Sequence, residues 1–274
     1  MEPPTYLANK NSHPRDKCII FDEGPHIYTI NGDSDYMSVT TWNHHHFQPF
    51  DADKIIDKMM MGKKWGPAHK YWGKTKEEIK KGWKDNGIAA STAGTKMHYD
   101  IECYYNDMDV EVEEDCIEWK YFEKFETEIG IFKEPYRTEW MIWDDKLKFA
   151  GSIDMTYINK DGTIDIYDWK RSVGIKMDNK WQSSITSCIS HLPDCNYYHY
   201  SLQLNTYKAL LEKNYDVKVK DMYLVCLHPN NENQSYQRIK VLDLQKEVKD
   251  LFDLRKKMLS KELKSEIEKK PIES

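Results

Sequence analysis

Hydrophobic and polar positions change rhythm several times along the chain, most clearly in AGSIDMTYINKDGTIDIYDWKRS, residues 150–172. β-Branched and aromatic residues alternate on either side of NKDG, where Gly162 can supply a positive φ, so the stretch predicts a β-hairpin. Strand side chains alternate faces, which puts Ile164, Ile166, Asp168 and Lys170 on one side of the second strand. That face begins apolar and ends charged. HIYTINGDSDYMSVTTW predicts a smaller hairpin around NGD. From 51 to 107 the spacing is mainly helical, broken near WGPAH and KDNG, and CIEWKYFEKFETEIG predicts a further helix. Strands are expected at about 136–143, 147–158 and 163–170, then a helical stretch through Glu212 and a strand at DMYLVCLHP. In the final segment Leu244, Val248, Leu251, Met258, Leu263 and Ile267 recur near helical spacing among dense charge, predicting a long, largely exposed helix. No internal repeat is visible.

Strands bracketed by helices predict an α/β fold, a mixed central β-sheet flanked by helices with N-terminal helical additions. The expected organisation is a flexible arm over 1–17, marked by Pro3, Pro4 and Pro14, a main domain over 18–241, and a charged C-terminal helix over 242–274. Within the main domain, about 51–92 reads as a helical, lysine-rich insertion. A length of 274 residues is ample for a buried core. No apolar run of about 18 residues predicts a membrane span, and the N-terminal sequence has neither a signal-peptide core nor an Arg-rich amphipathic pattern. A soluble intracellular protein is expected. Six cysteines without a CxxC pair or regular spacing read as reduced thiols, mostly in the core.

The net charge of −6 argues against a nucleic-acid partner only if charge is evenly spread, and it is not. Between Lys54 and Lys84 stand ten lysines against three acids, interleaved with Trp65, Tyr71, Trp72 and Trp83. Such a segment suits phosphates and stacked bases, with Lys63, Lys64, Trp65, Trp72, Lys80 and Lys81 as candidate contacts. Taken by itself it better suits an amphipathic helical region whose aromatics are core and whose lysines are solvated. The polar end of the hairpin has two readings as well. Asp168 and Lys170 can form an ordinary surface ion pair, or Asp154 and Asp168 can hold a divalent cation with the lysine beside the substrate. His98 and Glu102 are four residues apart and share a helical face, as do Tyr200, Gln203 and Tyr207. Glu139 sits among apolar residues in RTEWMIW.

Taken in order, GTKMH with Thr95 and His98, TEW with Glu139, GSID with Gly151 and Asp154, DWK with Asp168 and Lys170, and QLNTY with Gln203 and Tyr207 resemble the motifs of the PD-(D/E)XK nuclease superfamily. The resemblance is to its RecB-like and phage lambda exonuclease-like branch, in viral and phage members, and spans about Phe21 to Tyr207. It implies a restriction-endonuclease-like core. It also implies that Asp154 and Asp168 are the principal metal ligands, that the Trp169 carbonyl and His98 are further ones, and that Glu139 approaches the metal directly or through water. Lys170 would orient or help deprotonate the attacking water. Gln203 and Tyr207 would shape the cleft and contact the strand, and Thr95 would lie on the substrate side. Oxygen ligands point to Mg²⁺ or Mn²⁺, the histidine favouring Mn²⁺; the cysteine spacing gives no reason to expect an iron–sulfur cluster. DxK stands here where the family more often has ExK.

The function so implied is metal-dependent hydrolysis of DNA, by an exonuclease in replication, repair or recombination. Its partners would be single strands or duplex ends, together with replication or recombination proteins. The competing reading is a nucleic-acid-binding or scaffold protein that keeps the fold without activity; the intact Asp154, Asp168 and Lys170 argue against it.

Overall fold

The computed structural model describes residues 4–269. Its frame is a six-stranded mixed sheet. The long antiparallel pair β4 (Glu134–Asp144) and β5 (Phe149–Ile158) is followed by β6 (Ile164–Lys170), which turns back on β5 through the Asn159–Thr163 reversal with Gly162 at φ +80°. This is the hairpin that the alternation predicts. β7 (Val219–Cys226) runs parallel to β6, and β8 (Gln237–Lys240), a short edge strand with no expected counterpart, pairs antiparallel with β7. β3 (Met37–Ser38) lies parallel to the start of β5.

Helices cover both faces, giving the expected mixed α/β architecture with a central sheet flanked by helices. On one side α6 (Asn196–Asn214) packs with α2 (Val39–His44) and the first turns of α7 (Gln245–Lys269) over Ile164, Ile166, Trp140 and Phe149. On the other, α1 (Tyr6–Lys10), the C-terminal half of α4 (Lys76–Tyr105) and α5 (Ile117–Glu128) cover Met155, Tyr157, Tyr167 and Trp169. The two clusters split β6 by parity, since Ile164 and Ile166 face α6 while Tyr167 and Trp169 face α4 and α5. Burying one such large side chain is worth roughly 1.5–3 kcal/mol, and none of β6 before Lys170 reaches solvent.

Four local expectations are revised. The N-terminal hairpin is β1 (Ile19–Asp22) with β2 (Ile27–Ile30), turning upstream of NGD; Asn31 and Gly32 make a separate tight turn, closed by one bridge between Ile30 and Asp33. α4 runs unbroken for 30 residues through KDNG. A capping box between Thr75 and Glu78 starts it and the packing of Met97, Ile101 and Tyr105 anchors its end, against a cost of about 1 kcal/mol per interior glycine. Residues 4–17 are docked where a loose arm is expected. Leu7 is buried, Arg15 lies 3.6 Å over the Trp143 ring, and Asp16 pairs with the buried Arg137 at 2.8 Å. Finally, Leu244 just before α7 and Val248 and Leu251 within it are core residues, so only the later turns match the exposed helix expected there, and residues 270–274 lie outside the described ones.

The six cysteines are free thiols, with Cys103, Cys195 and Cys226 buried. No described helix is long and apolar enough to cross a membrane.

Candidate metal centre

β5 has three ladder partners but only two edges. β4 occupies one edge along its length, so β3 at Phe149–Ala150 and β6 from Met155 onward share the other. Residues 151–154 of that edge are left without a ladder, and the sheet forks there. Side chains fill the fork. Trp169 donates its amide to Asp154 Oδ2 (2.9 Å), taking a carboxylate where a strand carbonyl would stand in an unforked sheet. The Tyr207 ring lies over Gly151 so closely that an added methyl would come within 2.8 Å of it, which is why the GSID motif needs glycine. On β4, opposite the fork, Glu139 has φ +39°, a strained value for a residue with a Cβ. Across that position the face of β4 switches: Thr138 is bonded to Asn106 at the end of α4, whereas Trp140 packs in the α6 core.

Helix α4 brings His98 against this fork. Its Nε2–H donates to the Trp169 carbonyl (3.0 Å), leaving Nδ1 3.6 Å from both Glu139 Oε1 and Asp154 Oδ2. The ligand atoms of His98, Glu139 and Asp154 all lie within 4.8 Å of one another. A ring N–H given to a backbone carbonyl is the support that orients a metal-binding imidazole. Glu139 is held from its other oxygen by the Ser152 hydroxyl (2.7 Å).

Asp168 lies outside this trio. It is buried on the α6 face, with Lys170 Nζ 2.5 Å from Oδ2 and the ammonium 4.8 Å over the Tyr200 ring. Yet Asp168 Oδ2 has no well-aligned hydrogen-bond donor. The Lys170 ammonium nevertheless supplies the positive charge that this buried carboxylate needs.

The electrostatics point the same way. Burial and the nearby Asp168 push the Asp154 carboxyl up to about 7. Burial and Glu139 push Glu102, one helical turn beyond His98, up to about 8. Burial alone would lower His98, but the Asp154 and Glu139 carboxylates outweigh it and raise the imidazole to about 9. Lys170 is likewise raised above ordinary lysine, because Asp168 and Asp154 outweigh its burial. Asp154 and Glu102 thus retain protons they would shed in water, whereas Glu139, although burial works against it, is held below the usual range by His98. The two carboxylates and the imidazole of the trio are a donor set that fits a divalent cation.

Other expected residues fall differently. Gln203 is half-buried and donates to the Tyr207 hydroxyl (3.2 Å); Tyr207 itself is buried and forms part of the cleft wall, so it cannot lie along a strand. The Trp169 carbonyl is engaged by His98. Thr95 is exposed on α4, one turn before His98. Helix α3 (Ala52–Met60) packs on α4, with Ile56 and Ile79 buried and Lys76 bridging Asp53 and Asp57. Lys80 pairs with Asp53 at 2.8 Å on the exposed surface. Lys63, Lys64 and Lys81 are exposed; Trp65 is half-buried against His69 and Trp72, and Trp72 is exposed. At 1.5 Å per residue, Trp83 stands about 22 Å along α4 from His98. Glu102 was visible in the sequence as the i+4 neighbour of His98, but only the fold brings Glu139 to it.

No family model matches the chain, and no curated protein matches its sequence. Among solved structures, it is similar to one described as a "Putative exonuclease" from Eubacterium rectale, at 10% identity over 86% of this chain and 83% of that one, with a TM-score of 0.42. That likeness is loose, and no residue assignment rests on it.

Proposed function

We propose that the chain is a divalent-metal-dependent nuclease that hydrolyses phosphodiester bonds of DNA, an exonuclease of replication, repair or recombination related to the PD-(D/E)XK nucleases of viruses and phages. The observation that carries this reading is the fork itself. His98, Glu139 and Asp154 converge within 4.8 Å, with the buried Asp168 close enough to raise Asp154 and itself paired with a lysine that stays charged.

In this reading Asp154, Glu139 and His98 Nδ1 hold Mg²⁺ or Mn²⁺, with Asp168 as the further carboxylate. Such an ion, when bound, acidifies water and polarises a phosphoryl oxygen. His98 is oriented by the Trp169 carbonyl, and Asp154 by the Trp169 amide, so both are pre-set by one residue of β6. Lys170 is a poor general base because the adjacent carboxylates keep its proton on; its role is to place positive charge where the phosphorane becomes more negative. Gly151 and Tyr207 keep the cleft floor closed behind the ligands. The lysines of the α3–α4 unit would meet backbone phosphates well away from the scissile bond.

The test is cleavage of end-labelled DNA by the purified protein with Mg²⁺ or Mn²⁺, against an EDTA control. Release of mononucleotides or short ends is expected only with metal. No cleavage of single-stranded or duplex DNA with either ion would sink the proposal and favour a non-catalytic binding protein.

A further inference from the structure

We propose a single-strand docking site on the segment that follows β6, where an unpaired base stacks on Trp181 and the flanking phosphates meet Lys176 and Lys180. It takes its biological sense from the nuclease reading, but it is built from other residues. The segment 171–195 leaves the end of β6 at Lys170 and returns to α6, whose Tyr200 lies beneath the Lys170 ammonium. Between them opens a cavity of about 680 Å³ lined by Lys176, Asn179, Lys180, Trp181, Asp194 and His199. His199 immediately precedes Tyr200 in α6, so the cavity and the Lys170 contact share one helix.

Trp181 is 92% exposed, more than any other large apolar side chain among the described residues. Its backbone is nevertheless pinned. Asn179 Oδ1 accepts from the amides of Trp181 (3.1 Å) and Gln182 (3.2 Å), and Asn179 Nδ2 donates to the Asp194 carbonyl (2.7 Å). The amides of Asp194 and Ser184 close a short ribbon onto Gln182 and Leu192, each at 2.9 Å. A packing tryptophan would be buried, and one in a slack loop would lack these bonds. A fixed backbone presenting a bare indole is a pre-organised stacking platform, which lowers the ordering cost of binding.

The charges around it select the ligand. Lys176 and Lys180 are exposed and have no ion-pair partner among the described residues, whereas Asp194 accepts a hydrogen bond from His199 Nε2 at 2.9 Å and is not left free. Asp178, the other acid of the lining, is exposed to solvent. Two free ammonium groups flanking an aromatic face suit a nucleotide strand, and stacking demands that the base be unpaired, so a duplex would not use this surface in the same way.

Binding of labelled dT15 in EDTA, measured by anisotropy for the unsubstituted protein, Trp181→Ala, Trp181→Phe and Lys176→Ala/Lys180→Ala, tests the site. Trp181→Ala should weaken dT15 binding about 5- to 100-fold, Trp181→Phe should recover most of the loss, and the lysine pair should flatten the salt dependence. Thermal melting confirms folding of each variant. Failure of the unsubstituted protein to bind dT15, or equal affinity for Trp181→Ala, overturns the docking site. If dT15 binding falls as expected but no metal-dependent cleavage is found, the nuclease reading fails and the docking site stands.

Discussion

Asp144 and Asp154 lie on adjacent strands of the same sheet, the first buried and the second largely so, and the fold treats them in opposite ways. Asp144, at the end of β4, accepts from the Leu147 amide (2.8 Å), Lys213 Nζ (2.6 Å) and Asn214 Nδ2 (2.8 Å). Although burial works against it, these donors hold its carboxyl below the usual range. Asp154 receives one backbone donor, faces Asp168, and is pushed up to about 7 by burial and that neighbour. A carboxylate that ties a turn together is supplied with donors from its own chain. One placed in a ladder gap, among other carboxylates, is left short of positive charge, and that shortage is what a cation would fill.

The largest expected effect breaks the comparison directly. Asp154→Asn should abolish metal-dependent cleavage, by at least about 10³-fold, while leaving metal-free stability at pH 8 unchanged or raised, because it removes a poorly compensated buried charge. Asp144→Ala should do the reverse, costing about 3–5 kcal/mol in chemical denaturation, with the surviving folded fraction still active. Cleavage by Asp154→Asn comparable with the unsubstituted protein would contradict the distinction.

Lys170→Ala comes next. It should lower the single-turnover rate by about 10²-fold or more with Mn²⁺ affinity kept or improved, whereas His98→Ala should weaken Mn²⁺ binding in calorimetry. Equal losses of metal affinity in the two variants would mean the roles are misassigned.

Protons sharpen the same contrast. Asp154, Glu102 and His98 all have folded values above their ordinary ones, about 7, 8 and 9, so the folded protein binds protons more tightly than the unfolded chain. Their stabilising contribution is therefore present at low pH and is lost as pH rises through those values. Buried His46, depressed by burial to about 4, acts oppositely below its ordinary 6.5. In EDTA the melting temperature should accordingly fall between pH 6.5 and 9, less so in Glu102→Gln, while Mn²⁺ affinity climbs over that range as protons leave the ligands. A melting temperature that rises with pH there would show that these groups do not share protons as described.

The smallest effects belong to the α3–α4 unit, whose charges lie in water. Lys63→Ala/Lys64→Ala/Lys81→Ala should reduce the slope of log affinity against log salt by up to about 0.9 per lost phosphate contact. Adding Lys80→Ala should change little, since Asp53 already holds that ammonium. A triple variant with the slope of the unsubstituted protein would leave these lysines as an ordinary solvated surface.

Local chemistry was enough to determine the β5–β6 hairpin, the facing of Ile164, Ile166, Asp168 and Lys170, and the pairing of His98 with Glu102 on one helical turn. Each depends on neighbours within a few residues, through turn φ values and the periods of strand and helix. Prolines misled at the N-terminus, because Leu7, Arg15 and Asp16 find partners at Asn106, Trp143 and Arg137, far along the chain. The KDNG stretch misled because an exposed helix tolerates glycine when both its ends are secured. Only tertiary structure decided that β3 and β6 divide one edge of β5, that Glu139 turns to positive φ across from the gap, and that Asp154 is starved of donors while Asp144 has three. The physical reason is that desolvation and charge pairing depend on groups distant in sequence, and alternation along a strand carries no record of them.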